Sequence, residues 1–147
     1  MRKAISIRPA AAADLEVARE WLAVAALPSD DLTRAHMEGF LLALDDDRPV
    51  GMIGLEQFGP IGLLRSLVVD PSCRAAGIGR QLVGALEKRA VKRGATELWL
   101  LTIDAEDYFA ARGYTVRQRV HAPVVIQGTP EYSTLCPGDA VLMSKRL

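Results

Sequence analysis

The residues best suited to chemistry gather around one stretch, Leu63 to Gly94. An apolar run, Leu63 to Val69, reaches a turn at Asp70-Pro71. Six residues follow, Arg74-Ala75-Ala76-Gly77-Ile78-Gly79, and they open directly into a helical pattern from about Arg80 to Arg93. Glycine lets the backbone approach a ligand closely, and the first turn of a helix carries N–H groups with no partner inside the helix. Those donors and the positive end of the helix dipole make a seat for an anion, above all a phosphate. A dinucleotide fingerprint requires a third glycine where the chain has Leu82, and an acidic residue after the next parallel strand; neither is present. A Walker loop requires Gly-Lys-Ser/Thr, which the chain also lacks. Taken alone, the six residues leave open a strand-to-helix turn that binds nothing.

The flanks extend the pattern to Leu67-x-Val69-x-Pro71-x-x-Arg74-x-x-Gly77-x-Gly79. This resembles the acetyl-CoA site of the GCN5-related N-acetyltransferases. A second element, Ala105-x-x-Tyr108-Phe109-x-x-x-Gly113-Tyr114, resembles that family's A-x-x-x-Y-x-x-x-G-F helix at the right distance. The resemblance spans nearly the whole chain. It implies one α/β domain over residues 1–147, a GCN5-related acyltransferase fold with a mixed, mostly antiparallel central sheet and helices on both faces. It further implies that the backbone of Leu67, Val68 and Val69 holds the pantetheine arm and the acetyl group. The amides of Arg74, Ala75, Ala76, Gly77, Ile78, Gly79 and Arg80 are then expected to hold the pyrophosphate.

Several shorter phrases are similar to one bacterial subfamily, the arsenic-resistance N-acetyltransferases. They are Leu27-Pro28-x-x-Asp31-Leu32, Gly54-Leu55-Glu56, Leu64 to Val69, Leu100-Leu101-Thr102, Arg119-x-x-Ala122-Pro123 and Leu135-Cys136-Pro137. For some relatives this implies acetylation of the α-amino group of arsinothricin, an organoarsenical mimic of glutamate.

Acetyl transfer from a thioester requires a neutral amine, a donor for the carbonyl oxygen and a proton for the departing thiolate. An amino acid is mostly ammonium at pH 7, so a base or a water must take its proton. Glu56 is the candidate base or ammonium anchor, against the alternative of an exposed strand-end carboxylate. A backbone N–H of Leu67 to Val69 is the oxyanion donor, provided a bulge frees it from the sheet ladder. Counting from Ala105, the family's tyrosine position holds Phe109, which is assigned to the cofactor site and has no proton to give. Tyr108, one place earlier, projects about 100° around the helix from it. Either Tyr108 is re-aimed, or a water, Thr102 or Ser66 supplies the proton, or the thiolate leaves unassisted.

A glutamate-like acceptor has two anionic ends, which the planar fork of arginine matches. Arg65, inside an apolar run with Ser66 beside it, is the first candidate for that contact, and Arg34 and Arg119 are secondary ones. A solvated arginine is the competing reading of the latter two. The rival functions are acetylation of another small amine or a peptide, and an acetyl-CoA-binding module without catalysis.

Composition narrows the partners. The chain has 147 residues, half of them apolar, with 18 Lys plus Arg against 18 Asp plus Glu. No net field favours nucleic acid or an anionic membrane. Cys73 and Cys136 are far apart, and neither they nor His36 and His121 show metal-ligand spacing, so no disulfide framework and no metal are expected. Cys136 reads as a small buried residue. With no signal peptide or long apolar span, a cytoplasmic location is expected. A homodimer follows from analogy with the fold alone.

The positioning elements follow from local pattern. Strands are expected at Ala4 to Arg8, Gly39 to Leu44, Val50 to Phe58, Leu63 to Val69, Glu97 to Thr102, Tyr114 to Val120 and Ala140 to Lys145. Asp14 is placed as the cap of a first helix carrying Leu15, Ala18, Leu22 and Ala26. Ser29 or Asp30 is placed as the cap of a shorter one through about His36. Residues from Asp45 to Pro49 form a polar hairpin turn, and Gly59-Pro60 a second turn. Asp104 is placed as the cap of a helix through Arg112, and Thr129 to Leu135 reads as a short helix. The strand, helix, strand order around the loop predicts a locally parallel pair.

Overall fold

The computed structural model describes residues 5–25, 29, 31–130, 132 and 140–147, and the side chains of these except 74–76. Seven strands form one sheet: β1 (Ile5–Pro9), β2 (Phe40–Asp45), β3 (Arg48–Phe58), β4 (Ile61–Val69), β5 (Glu97–Thr102), β6 (Thr115–Arg117) and β7 (Val141–Arg146). Their spatial order is β1-β2-β3-β4-β5-β7-β6. Among the described residues only β4 and β5 run parallel, joined by the helix α2 (Ile78–Lys92), as the strand-helix-strand pattern requires. Among the described residues the other α-helices are α1 (Leu15–Val24), α3 (Glu106–Ala111) and α4 (Val124–Gln127).

Side chains alternate across each strand, so β2 sends Leu41 and Ala43 to one face and Phe40 and Leu42 to the other. On the first face, Ile78, Leu82, Val83 and Leu86 recur at helical spacing along α2 and pack with Leu41, Ala43, Ile53, Leu55 and Leu64. Each such aliphatic side chain, fully buried, contributes about 1.5–3 kcal/mol. On the second face, Ala18 and Leu22 of α1 join Leu32 and Met37 over Phe40, Leu42 and Met52. Further along, Leu63, Trp99 and Leu142 are covered by Ala122 and by Ile126 of α4. The sheet is therefore clad on both sides.

Several element boundaries differ from those read in the sequence. Asp14 ends a 3₁₀ turn (Ala12–Asp14) and its carboxylate accepts from the Ala11 N–H at 2.7 Å and from Arg8, so it does not cap α1 through its side chain. The second helix is a 3₁₀ turn, Arg34–Gly39, whose cap is Thr33. Asp104 does not cap α3; Thr102 Oγ1 accepts from the Ala105 N–H at 3.0 Å, and the helix begins at Glu106. The hairpin turn is tighter than expected, since Pro49 is already paired with Leu44. β6 stops at Arg117, and a 3₁₀ turn follows at Arg119–His121. Most of the helix expected at Thr129 to Leu135, together with Leu27, Asp30 and Cys136, lies outside the described residues. No helix among the described residues is long and apolar enough to cross a membrane.

Candidate active site

The site begins where the parallel pair comes apart. The β4–β5 ladder runs from Ile61↔Glu97 to Leu63↔Trp99 and ends there. Beyond it β4 is laddered on its other side, with Met52↔Val68 and Gly51↔Val69. At the departure point Ser66 and Leu67 together oppose Ile53, a bulge in which Ser66 takes φ 62°. A residue with a side chain held there costs about 1–3 kcal/mol, a strain that clusters at functional sites. The bulge that an oxyanion donor requires is thus present, just before Leu67.

Between the separating strands lies a cavity of about 670 Å³. One wall is Leu67, Val68, Val69, Gly77, Gly79 and Arg80; the other includes Asp104, Ala105, Tyr108 and Arg112. Asp70 shapes the approach, its carboxylate accepting from the Ser72 N–H at 2.9 Å and the Ser72 hydroxyl at 2.8 Å. Gly77 sits at φ 75°, where glycine carries no steric penalty, and turns the chain into α2. A bond from Gln81 N–H to Gly77 O opens the helix, so the N–H groups of Ile78, Gly79 and Arg80 precede its ladder. The Ile78 side chain itself is fully buried in the core, so only its backbone faces the loop. The side chains of Arg74, Ala75 and Ala76 lie outside the described set.

Opposite Gly79 stands Tyr108. Its hydroxyl is buried without a hydrogen-bond partner, and a Cβ built on Gly79 would lie 2.5 Å from it. Arg112, one helical turn on, places its guanidinium 5.0 Å from the centre of the Tyr108 ring. Phe109 goes the other way. It is 5% exposed, packs with the α2 core and makes edge contacts with Tyr108 and Tyr114, so its expected place in the cofactor site is corrected: it is a core residue. Two successive helical residues cannot share a face, and the apolar ring takes the core while the phenol takes the cavity. Tyr114 is buried with its hydroxyl on Glu87 at 3.0 Å; burial and the Glu87 charge push its pKa well up.

On the second face of the sheet, a polar network surrounds Arg65. Its side chain is 0% exposed, although an anion-binding role toward an acceptor requires it to reach a cleft. Both terminal nitrogens bond to Asp31, with Nη2 to Oδ1 at 2.9 Å; Nη1 also donates to Glu56 Oε2 at 3.0 Å, and Nε to Ser66 Oγ at 3.0 Å. The expected acceptor contacts of Arg65 and Ser66 are corrected accordingly, because two carboxylates and the bulge already take the guanidinium. Burial opposes the charge on Asp31, but the hydrogen bonds and charge of Arg65 outweigh it, and the Asp31 pKa is lowered. Glu56, 15% exposed, turns its other oxygen toward His36, with Nε2 at 3.8 Å from Oε1.

Asp31, His36 and Glu56 bring their ligand atoms within 4.8 Å of one another, a grouping no sequence spacing shows. The guanidinium on both carboxylates already supplies the positive charge a cation would bring. Arg34 is exposed and lines neither described cavity. Arg119 donates to the carbonyls of Ala140 and Tyr132 and stacks 4.7 Å from the Tyr132 ring, holding neighbouring chain together and not lining the cavity. Asp31, His36, Asp104, Ala105 and Arg112 receive no site role from the sequence, although all lie in motifs or elements it marks. Only Arg112, four residues after Tyr108 and so on the same helix face, carried a usable signal.

A parallel strand pair thus comes apart beside a glycine-containing turn that opens α2, with a buried phenol opposite. Residues 7–117 match the Acetyltransferase (GNAT) family, and the chain belongs to it. That family is one of acetyltransferases. A search of curated proteins by sequence found no match. Among solved structures, N-acetylglutamate synthase from Neisseria gonorrhoeae, complexed with coenzyme A and N-acetyl-glutamate, is similar at TM-score 0.85 and 20% identity, over 100% of this chain and 36% of that one. This chain thus spans about a third of that protein's length. Rv2747 from Mycobacterium tuberculosis, in complex with CoA, is similar at TM-score 0.82 and 21% identity over 97% of this chain and 99% of that one. PaiA N-acetyltransferase from Thermoplasma acidophilum, in complex with coenzyme A, gives 0.68 and 20% over 98% and 99%.

Proposed function

We propose that residues 1–147 act as one domain that transfers the acetyl group of acetyl-CoA to the primary amine of a small molecule. The observation that carries this reading is the unpartnered Tyr108 hydroxyl, buried across the cavity from the bulged end of β4. An orphaned buried hydroxyl costs stability, about 1–3 kcal/mol, and a site that tolerates one has a use for it. Acetyl-CoA, when bound, supplies the thioester whose acetyl group is transferred. The amides of Gly77 to Arg80 hold its pyrophosphate, and the free edge of Leu67 to Val69 holds the pantetheine arm. An N–H of that edge, freed by the bulge, stabilises charge on the carbonyl oxygen. Glu56 takes the ammonium proton, and Tyr108 gives one to the departing sulfur.

The finer reading makes the acceptor a small anionic amino acid, arsinothricin among them, acetylated in the cytoplasm as part of arsenic resistance. The subfamily phrases support it, as does the N-acetyl-glutamate carried by the gonococcal structure. A second reading has its own observation. Among the described residues two carboxylates, Asp31 and Glu56, gather around Arg65, an acidic setting that suits a cationic acceptor such as a polyamine.

Free CoA release with arsinothricin, phosphinothricin, glutamate and spermidine as separate acceptors decides between them. Turnover confined to the glutamate-like compounds supports the first reading, and turnover confined to spermidine the second. Binding of acetyl-CoA with no amine-dependent thioester cleavage would return the chain to a binding module.

A further inference from the structure

We infer that Glu87 of α2 is a positioning residue for acetyl transfer, bracing the C-terminal end of α3 so that the Tyr108 ring keeps its place at the cavity. The inference rests on Tyr108 being the group that gives the departing sulfur its proton. A helix of six residues has little stability of its own, so contacts at its ends decide where its side chains point. At the far end Gly113, at φ 98°, closes α3: its N–H bonds to Ala110 O, and the Tyr114 N–H bonds to Phe109 O. The Arg112 carbonyl lies outside that pair of bonds and accepts from Lys145 Nζ of β7 at 2.9 Å. A cation there also answers the negative end of the helix dipole.

Lys145 is held in turn by Glu87, whose Oε2 accepts from Nζ at 2.9 Å and from the Tyr114 hydroxyl at 3.0 Å. One carboxylate oxygen of α2 thus ties together β7, the end of α3 and the aromatic residue beyond it. Gly113 leaves the room for this, since a Cβ built there would lie 3.2 Å from Lys145 Cε. Glu87 follows Arg80 by seven residues, about 10 Å along α2 and on nearly the same stripe. The helix face that lines the cavity at Arg80 therefore carries the brace as well. From Arg112 the connection runs back to the cavity, because its guanidinium lies 5.0 Å from the centre of the Tyr108 ring. Tyr108 faces Gly79 of α2 with a hydroxyl that makes no hydrogen bond, so that contact does not itself fix the ring. The polar tie at Glu87 does so from the other end of α3.

Substitution separates a hydrogen-bonded brace from general packing. Glu87→Ala removes the acceptor, whereas Glu87→Gln keeps an oxygen for Lys145 and Tyr114. Lys145→Met cuts the link to Arg112 O and leaves the Glu87–Tyr114 bond in place. For Glu87→Ala and Lys145→Met we expect kcat to fall about tenfold, the effect of a slightly misplaced reacting group. The KM for acetyl-CoA should stay near its wild-type value, because the amides of Gly77 to Arg80 remain on α2. Glu87→Gln should restore most of kcat. In a Tyr108→Phe background, Glu87→Ala should cost no further kcat, since the hydroxyl it positions is gone. Assays are run where circular dichroism shows the variants folded.

An equal loss of kcat from Glu87→Ala in the Tyr108→Phe background overturns the inference. So does wild-type kcat in Lys145→Met, or a loss in Glu87→Gln as large as in Glu87→Ala. Failure of the underlying reading looks different: wild-type kcat in Tyr108→Phe alone removes the phenol as proton donor and the inference with it. Lost activity in Tyr108→Phe with wild-type kcat in Glu87→Ala removes only the brace.

Discussion

Arg65 and Asp31, 34 residues apart, meet through two hydrogen bonds that engage both terminal nitrogens of a wholly buried guanidinium. The pair ties the segment after α1 to the strand that carries the bulge, because Arg65 Nε also reaches Ser66 Oγ. Asp31 thus anchors the second face of the sheet to the residues just before Leu67.

Removing one partner of a buried ion pair leaves the other charge uncompensated. Asp31→Ala is expected to lower stability by about 3–5 kcal/mol, read as a shift in the urea midpoint at pH 7. An unchanged midpoint would mean that the other partners of Arg65 satisfy it without Asp31. The same pair sets an acid limit. The Asp31 pKa is lowered from 3.8 in the fold, so the unfolded chain binds this proton first as the pH drops. Its contribution is complete well above pH 3.8 and is lost as pH falls through the folded value. A plot of stability against pH should therefore lose its acid-side slope in part in Asp31→Ala.

Tyr108→Phe removes a hydroxyl that has no partner in the fold. Nothing is left unpaired by its loss, so the melting temperature should hold or rise slightly. If the phenol protonates the leaving thiolate, kcat should fall by about 10²–10⁴. A fall in stability with full activity would assign Tyr108 to packing alone.

Gly79→Ala tests the same hydroxyl from the other side. The added Cβ would lie 2.5 Å from Tyr108 Oη, so the ring must move. Because the contacted atom is the end of a side chain, folding should suffer little, by about 1–2 kcal/mol. Turnover should fall much further, and combining this change with Tyr108→Phe should cost less than the two single changes added together. Strict additivity of the two in kcat would mean that the ring's position does not matter.

The strand, loop and α2 were legible because their signals are local. Pro71, two loop glycines and the spacing of Ile78, Leu82 and Leu86 all lie within a short window. Arg65 stands out as a charge inside an apolar run, but its partner Asp31 is far away in sequence, so local pattern does not reveal their pairing. The motif puts Phe109 at the cofactor position because it fixes only the count, whereas rotation about a short helix decides which side chain meets the cavity. Residues Val124–Gln127 form α4 from a β-branched run, where packing of Ile126 against Leu63 and Trp99 overrides local preference. The bulge at Ser66 depends on register against Ile53, which no single strand records.

Gly77 offers a way to separate backbone conformation from charge in the loop. It lies at φ 75°, and a Cβ built there meets nothing within 4 Å. Gly77→Ala therefore adds no clash, only the left-handed conformation of a residue with a side chain, about 1–2 kcal/mol. Gly77→Asp tolerates that conformation better but places a carboxylate beside the amides of Ile78, Gly79 and Arg80. If those amides hold a pyrophosphate, the alanine variant should lose stability and keep most of its acetyl-CoA affinity. The aspartate variant should show the reverse, with affinity down at least tenfold and weakening further as salt is lowered, since screening of the repulsion is then removed. Titration calorimetry on both variants at two ionic strengths reads this directly. Equal affinity in the two would place the pyrophosphate elsewhere and leave Gly77 as a turn residue.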